Sequence, residues 1–296
     1  MDSLENLRRK IGSAAELESV VRTMKAMAAS NIGQYEMATL ALDEYFHTVT
    51  LGIQAYFKQQ HSYYSETDPV DPAKPVVAIV FGSDQGLVGA FNETLSAFTS
   101  DSLHKLQRNT EVWAVGERIK DSLTGSGWKV AKLFSIPNSV NAITPLIGQI
   151  LGDIEYAQEK EGFSEFHIFH NRPGEGAGYE PVFQQLLPLN RAWKESRKNE
   201  KWPTKQLPVV VGGMHPALEA LIREYIFVSI YRACAESMAS ENESRLAAMQ
   251  RAEKNIDDLL DDLNNTYNRI RQSSIDEELF DVVSGFEALT ASKKTH

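Results

Sequence analysis

Cysteine is almost missing from this 296-residue chain, and its 18 glycines and 11 prolines are unevenly placed. The single Cys234 excludes an internal disulfide or a thiolate metal cluster, fits a reducing compartment and leaves no redox switch to expect. No run reaches the roughly 18 uncharged apolar residues of a membrane helix. The start, MDSLENLRRKIGSAAEL, lacks the apolar core of a secretory signal and carries acids early, against a transit peptide. A soluble protein is expected. Excess positive charge is lacking too: 30 Lys and Arg face 40 Asp and Glu, a formal charge of −10. That balance argues against a phosphate-backbone binder, so no nucleic-acid partner is expected. What is present, 42% hydrophobic and 24% charged residues, can fill a sizeable core.

The gaps in proline and glycine are the strongest signal. Between Ala217 and Ser284 neither occurs across 68 positions, which predicts one continuous helix of about 100 Å. Gly212, Gly213 and Pro216 mark its start and Gly285 its end. Of 16 positions at alternating steps of three and four from Leu218 to Ile270, 13 are apolar, the exceptions being Arg232, Asn242 and Glu253. Such a seam belongs to a coiled coil with polar interruptions. The competing reading is a plain amphipathic helix on a globular core. Residues 1–68 contain no proline and carry a similar stripe: Leu4, Leu7, Ile11, Ala14, Leu17, Val21, Met24, Ala28, Ile32, Tyr35, then Leu42, Val49 and Ile53. Its steps are threes and fours, with one extra three that shifts the seam. Since both helices enter the same middle region, an antiparallel pair is the simplest arrangement.

That middle region alternates strand-like and helix-like stretches. Strands are predicted at Val76–Phe81, Val112–Val115, Lys129–Phe134, Glu165–Phe169 and Val182–Leu187, with helices at 92–107, 117–124 and 139–159, a pattern of a mostly parallel sheet. The expected fold class is therefore α/β: a long antiparallel coiled coil of N- and C-terminal helices plus a central Rossmann-like α/β domain. The expected divisions are 1–58, 75–212 and 215–290, with polar connections at 58–75 and 193–208.

Little of the sequence reads as chemistry. The loop Gly82-Ser83-Asp84-Gln85-Gly86-Leu87-Val88-Gly89-Ala90-Phe91-Asn92 lies where a doubly wound sheet often binds ligands. Its glycines lack dinucleotide spacing and no Lys-Ser/Thr pair follows, so tight strand-to-helix packing is the expected use. His167 and His170, three apart on a strand, point to opposite faces and cannot share a metal. Asp257, Asp258, Asp261 and Asp262 read as a solvated acidic face. No catalytic residue, cofactor site or metal site is expected. The tip, 272–289, carries Ile275, Leu279, Val282, Val283, Phe286 and Leu289, an apolar stripe with no partner left in this chain, which marks an interaction site.

Three stretches carry a family resemblance. Val20-Val21-Arg22-Thr23-Met24-Lys25-Ala26-Met27-Ala28-Ala29-Ser30 is similar to the first-helix motif of the gamma subunit of F-type rotary ATP synthases. The loop from Ser83 to Asn92 resembles that family's Ser-Asp-Arg-Gly-Leu-Cys-Gly-x-Phe-Asn. Ser240-Glu241-Asn242, Arg245, Ala248-Met249 and Tyr267-Asn268-Arg269-x-Arg271-Gln272, followed by Ile275, Glu278-Leu279, Val282-Val283 and Gly285, resembles its C-terminal signature. The resemblance spans the chain. It implies a non-catalytic central stalk, or rotor shaft, that couples proton or sodium flow through a membrane ring of c subunits to ATP synthesis or hydrolysis on a hexamer of alpha and beta subunits. Epsilon is a further implied partner. Membrane contact would be indirect, and the location peripheral, on the cytoplasmic face of the inner (plasma) membrane. By position, Arg271 and Gln272 would hydrogen-bond a beta loop, Arg245 would lie along the same shaft, and Met24 and Lys25 would face an acidic lever of beta.

The chain departs from the family pattern at Gln85, where arginine is usual, at Asp276, where threonine is usual, and at 31–36, where a basic stretch gives way to Asn-Ile-Gly-Gln-Tyr-Glu. These departures point to a divergent or alternative form. Two other readings stay open: an enzyme whose middle domain binds nucleotide, and a coiled-coil tether or scaffold without rotary function.

Overall fold

The computed structural model of the chain describes residues 3–59, 74–163, 165–174, 178–189, 193 and 201–293, with side chains left aside at 161 and 285–293. Most of the two polar connections expected from sequence, and the side chains of Phe286 and Leu289, lie outside the described residues. Helix α1 runs Leu4–Gln59; β1 is Val76–Phe81, α2 Phe91–Leu106, β2 Thr110–Val115, α3 Glu117–Gly125 and β3 Val130–Phe134. A short 3-10 turn, Val140–Ala142, leads into α4, Ile143–Tyr156, which ends in a π-helical turn, Ala157–Glu161. Then come β4, Glu165–Pro173, β5, Tyr179–Leu187, and α5, Met214–Lys293. The chain forms two compact units, one of residues 28–246 and one of residues 1–27 with 247–296.

In the larger unit the strand order is β3-β2-β1-β4-β5. β1 pairs in parallel with β2 and β4, β2 in parallel with β3, and only the edge strand β5 runs antiparallel. Every residue of β1 is buried, as its unbroken run VVAIVF requires of a central strand covered on both faces. Val77, Ile79 and Phe81 face a core with Ile147 and Ile150 of α4 and Ile226, Ile230 and Ala233 of α5. Ala78 and Val80 face a second core with Leu95 and Leu103 of α2 and Ile119 and Leu123 of α3. α5 is therefore buried beyond its coiled-coil seam in this unit, and Ile230, Ala233, Cys234 and Ser237 are all under 4% exposed.

The α1 and α5 segments of the larger unit run antiparallel. Asn31 meets Asn242 at 3.4 Å, Asp43 meets Arg232 at 3.3 Å, and the rings of Phe46 and Tyr225 lie 5.6 Å apart, so numbers rise on one helix as they fall on the other. The α1 seam corrects the sequence reading. Leu17 is 58% exposed, and its place is taken by Glu18. Leu7, Ala14, Val21, Ala28, Tyr35, Leu42 and Val49 recur every seven residues, with Leu4, Ile11, Glu18, Lys25, Ile32, Thr39, Phe46 and Ile53 between them; all are at least partly buried. The seam does not shift. The extra step was an effect of preferring Leu17 to Glu18, and a long acid can lay its methylenes in a seam while its carboxylate reaches water.

On α5 all 16 expected seam positions are buried or partly buried. The three polar exceptions each bond to α1: Arg232 to Asp43, Asn242 to Asn31, and Glu253 to Lys25 and Arg22. Polar groups at seam positions cost stability but admit one register, because any slip leaves them unpaired.

Candidate functional site

The loop after β1 sits at the carboxyl ends of the strands, where the order reverses between β1 and β4. It is filled by its own side chains. The Glu117 N–H, at the start of α3, donates to Asp84 Oδ1 at 2.9 Å, and the Ile136 N–H donates to Asp84 Oδ2 at 3.0 Å. One carboxylate thus occupies the anion-attracting end of α3 and ties down the exit of β3. Asn92 closes the other side: its Oδ1 accepts from the Ser83 N–H at 3.0 Å and its Nδ2 donates to Ser83 Oγ at 2.8 Å. A Cβ on Gly82 would lie 2.2 Å from Ile119 Cβ, and one on Gly116, at φ +116°, 2.6 Å from the Ser83 carbonyl oxygen. The expected packing role is borne out.

α5 is fastened to the end of β1 and to this loop. Ser237 Oγ donates to the Phe81 carbonyl at 3.0 Å, and Ser244 Oγ donates to the Val88 carbonyl. Between them lies Glu241, 6% exposed and bonded to Arg245 at 2.6 Å. Burial pushes the Glu241 carboxyl up, Arg245 pulls it back and nearby Asp84 pushes it further, with a net rise. Burial and Glu241 also push the Tyr35 phenol to about 12.

His167 and His170 face opposite sides of the sheet, as their spacing requires. His167 meets Glu165 at 3.1 Å, and Glu165 also pairs with Arg108. Burial drives the His167 imidazole down, against the pull of Glu165. His170 meets Glu236 of α5 at 2.8 Å. Burial raises the Glu236 carboxyl, but the hydrogen bonds from His170 and Arg232 overcome it and hold the group below the ordinary carboxylate range. A cavity of about 370 Å³ beside them is lined by Phe46, Phe183, Ser229 and Arg232 among others. Among the described residues no cluster of three or more His, Cys, Asp or Glu could hold a metal, and no helix is long and apolar enough to cross a membrane.

The residues singled out from sequence fall in different settings. Arg245 is 13% exposed at its side chain and committed to Glu241. Met24 and Lys25 are half-buried, and Lys25 is paired with Glu253. Arg271 and Gln272 are exposed. Partly buried seam positions on α5 end at Ser274, and every residue from 275 to 284 is exposed, including Ile275, Leu279, Phe280, Val282 and Val283 at 46 to 72%. Sequence reasoning missed Asp84 as the plug of the loop and Ser237 as an anchor. A carboxylate in a post-strand loop three residues from its strand was the one available signal, and it named no partner.

Comparison with known proteins places this geometry. The family model described as ATP synthase matches residues 3–289. The ATP synthase gamma chain of Lachnoclostridium phytofermentans is 28% identical over 301 residues, covering 98% of this chain and all of that protein. That of Nitrosomonas eutropha is 27% identical over 303 residues, with the same coverage. In solved structures, a chain of the Euglena gracilis mitochondrial ATP synthase rotor matches with TM-score 0.65 at 15% identity, over 92% of this chain and 98% of that one. A chain of the same enzyme's OSCP/F1/c-ring assembly matches with TM-score 0.67 at 16% identity, over 98% and 96%. A chain of the Tetrahymena thermophila central stalk and c-ring matches with TM-score 0.57 at 20% identity, over 79% and 99%. The chain, in which two long helices flank a plugged α/β sheet in sequence order, is matched by one family model almost from end to end, and it is a member of the ATP synthase family, of the F-type gamma-chain kind.

Proposed function

We infer that the chain is the central stalk of an F-type ATP synthase, turning within a hexamer of alpha and beta subunits and bearing on epsilon and a ring of c subunits. The observation that carries the reading is α5: it outruns the α1 seam and presents an exposed apolar end that nothing among the described residues covers. The working divisions are 1–58 and 215–290 for the shaft and 75–212 for the domain beside it. The complex would sit peripherally at the cytoplasmic face of the inner membrane, driven by protons or sodium.

The chain itself is non-catalytic in this reading. Asp84 fills the N-terminal end of α3 beside the loop, and a nucleotide phosphate bound there would face its charge at close range. Titration calorimetry on the purified chain should therefore register no ATP binding at micromolar concentrations; a saturable micromolar site would overturn this part of the reading.

Arg271 and Gln272 are the proposed contacts to beta, because they are exposed just before the apolar end. Arginine forms a forked contact with a carboxylate that no short side chain replaces. The Arg271→Ala, Gln272→Ala variant should lower the ATPase rate of the assembled complex about tenfold while the free chain melts as before. Met24 and Lys25 are proposed for the acidic lever of beta at a cost, since Lys25 would have to share or leave Glu253. Arg245 is proposed to act along the shaft through Glu241 rather than at its surface.

A further inference from the structure

The loop at the strand ends is held to several elements at once by its own side chains. Asp84 ties it to α3 and to the exit of β3, Asn92 ties it to α2, and Gly82 seats it on Ile119. It is thereby fixed to the carboxyl ends of β1, β2 and β3 together. α5 is hydrogen-bonded at two points to the strand end and the loop that leaves it, Ser237 to the carbonyl of Phe81, the last residue of β1, and Ser244 to the Val88 carbonyl in the loop, both within the larger unit.

The spacing of those two points matters. Ser237 and Ser244 are seven residues apart, two turns of helix, so they lie on one face and about 10 Å apart along the axis. One hydrogen bond lets a helix pivot, whereas two at that separation, one to the end of β1 and one to the loop fixed to it, oppose both rotation about the axis and sliding along it. The apolar contacts of Ile226, Ile230 and Ala233 with the sheet supply cohesion and resist displacement through close packing, and the two hydrogen bonds add a directional restraint at fixed points. Hydrogen bonds weaken steeply with misalignment.

We propose that the end of β1 and the β1–α2 loop together form a torque clamp: Ser237 and Ser244 lock the angle of α5 to the sheet, so that a turning force on the α/β part passes into the helix without slip. The proposal rests on the central-stalk reading and deepens it by naming positioning residues. Ser229 provides the internal control, since it lies on the same helix, is 3% exposed and has a hydroxyl with no hydrogen-bond partner among the described residues.

The test uses the assembled complex, with a bead attached to the α/β part and the hexamer stalled, and reads the angular spread of the bead. Ser237→Ala with Ser244→Ala should at least double the angular variance and reduce ions pumped per ATP, with hexamer ATPase within twofold of the unmodified complex. Ser229→Ala should leave the variance unchanged. Ser244→Thr, which keeps a hydroxyl, should stay near the unmodified value where Ser244→Ala alone does not. Equal variance in the double variant and the Ser229→Ala control would overturn the clamp and leave the stalk reading intact. Failure of the unmodified chain to turn within any hexamer would sink both.

Discussion

Replacing Gly82 by alanine is expected to cost the α/β unit about 3 kcal/mol or more, at the upper end of overpacking in a closed core. The added Cβ would lie 2.2 Å from Ile119 Cβ, 2.6 Å from Ile119 Cγ2 and 2.7 Å from Asn92 Oδ1. No rotamer of Ile119 relieves a clash at its own Cβ, so α3 or the loop backbone has to move. Moving the loop breaks the Ser83 and Asn92 hydrogen bonds, and moving α3 pulls the Glu117 N–H from Asp84. Ile119 is fully buried, which leaves no slack outward. At roughly 2–4 °C per kcal/mol for a unit of this size, the melting temperature should fall by about 6–12 °C. Gly86→Ala, in the same loop, should be nearly neutral, because its Cβ meets only the Arg118 guanidinium, at 3.7 Å. Thermal melts that place the two variants together would show that the loop yields, and the rigid junction argued from it would fail.

The contrast between those two glycines marks the boundary of what the sequence reveals. Both belong to the same glycine-rich stretch and read alike in the chain. Only the approach of α3, set by how β2 and β3 lie beside β1, separates the one that must be glycine from the one that need not be. Periodicity, by contrast, was legible: the 68-residue gap in proline and glycine became α5, and the 16 seam positions from Leu218 to Ile270 are all at least partly buried. It failed at Leu17, where hydrophobicity pointed to the wrong neighbour and the heptad to Glu18. The polar interruptions were visible as exceptions, but their meaning was not. That Arg232, Asn242 and Glu253 answer Asp43, Asn31 and Lys25 depends on residues about 190 to 230 positions away, and a single chain read along its length carries no record of such pairings. The strands and crossing helices emerged from β-branched runs, while the direction of β5, antiparallel to β4, is set by its connection and pairing rather than by its own residues.

The exposed end of α5 leads to the second large effect. Isolated helix without tertiary contacts is marginal in water, since nucleation is costly and the backbone hydrogen bonds compete with solvent. From Ile275 to Ser284 no side chain is buried, so in the free chain this stretch should open readily and exchange its amide protons within seconds to minutes. Covering Ile275, Leu279, Phe280, Val282 and Val283 changes that. Burying even half the exposed surface of five such side chains stabilises the helix by about 4 kcal/mol, using roughly 1.5–3 kcal/mol for each fully buried one. With tenfold in equilibrium constant per 1.4 kcal/mol, exchange across 275–284 should slow by about a thousandfold once the chain is seated in its hexamer. The seam segment 218–242, already buried within the larger unit, should change little and serves as the internal reference. Hydrogen exchange by mass spectrometry on the free chain and the complex decides the matter. Strong protection of 275–284 in the free chain at low concentration would mean that the end folds onto its own chain, and the apolar stripe would then be an intramolecular contact rather than a bearing surface.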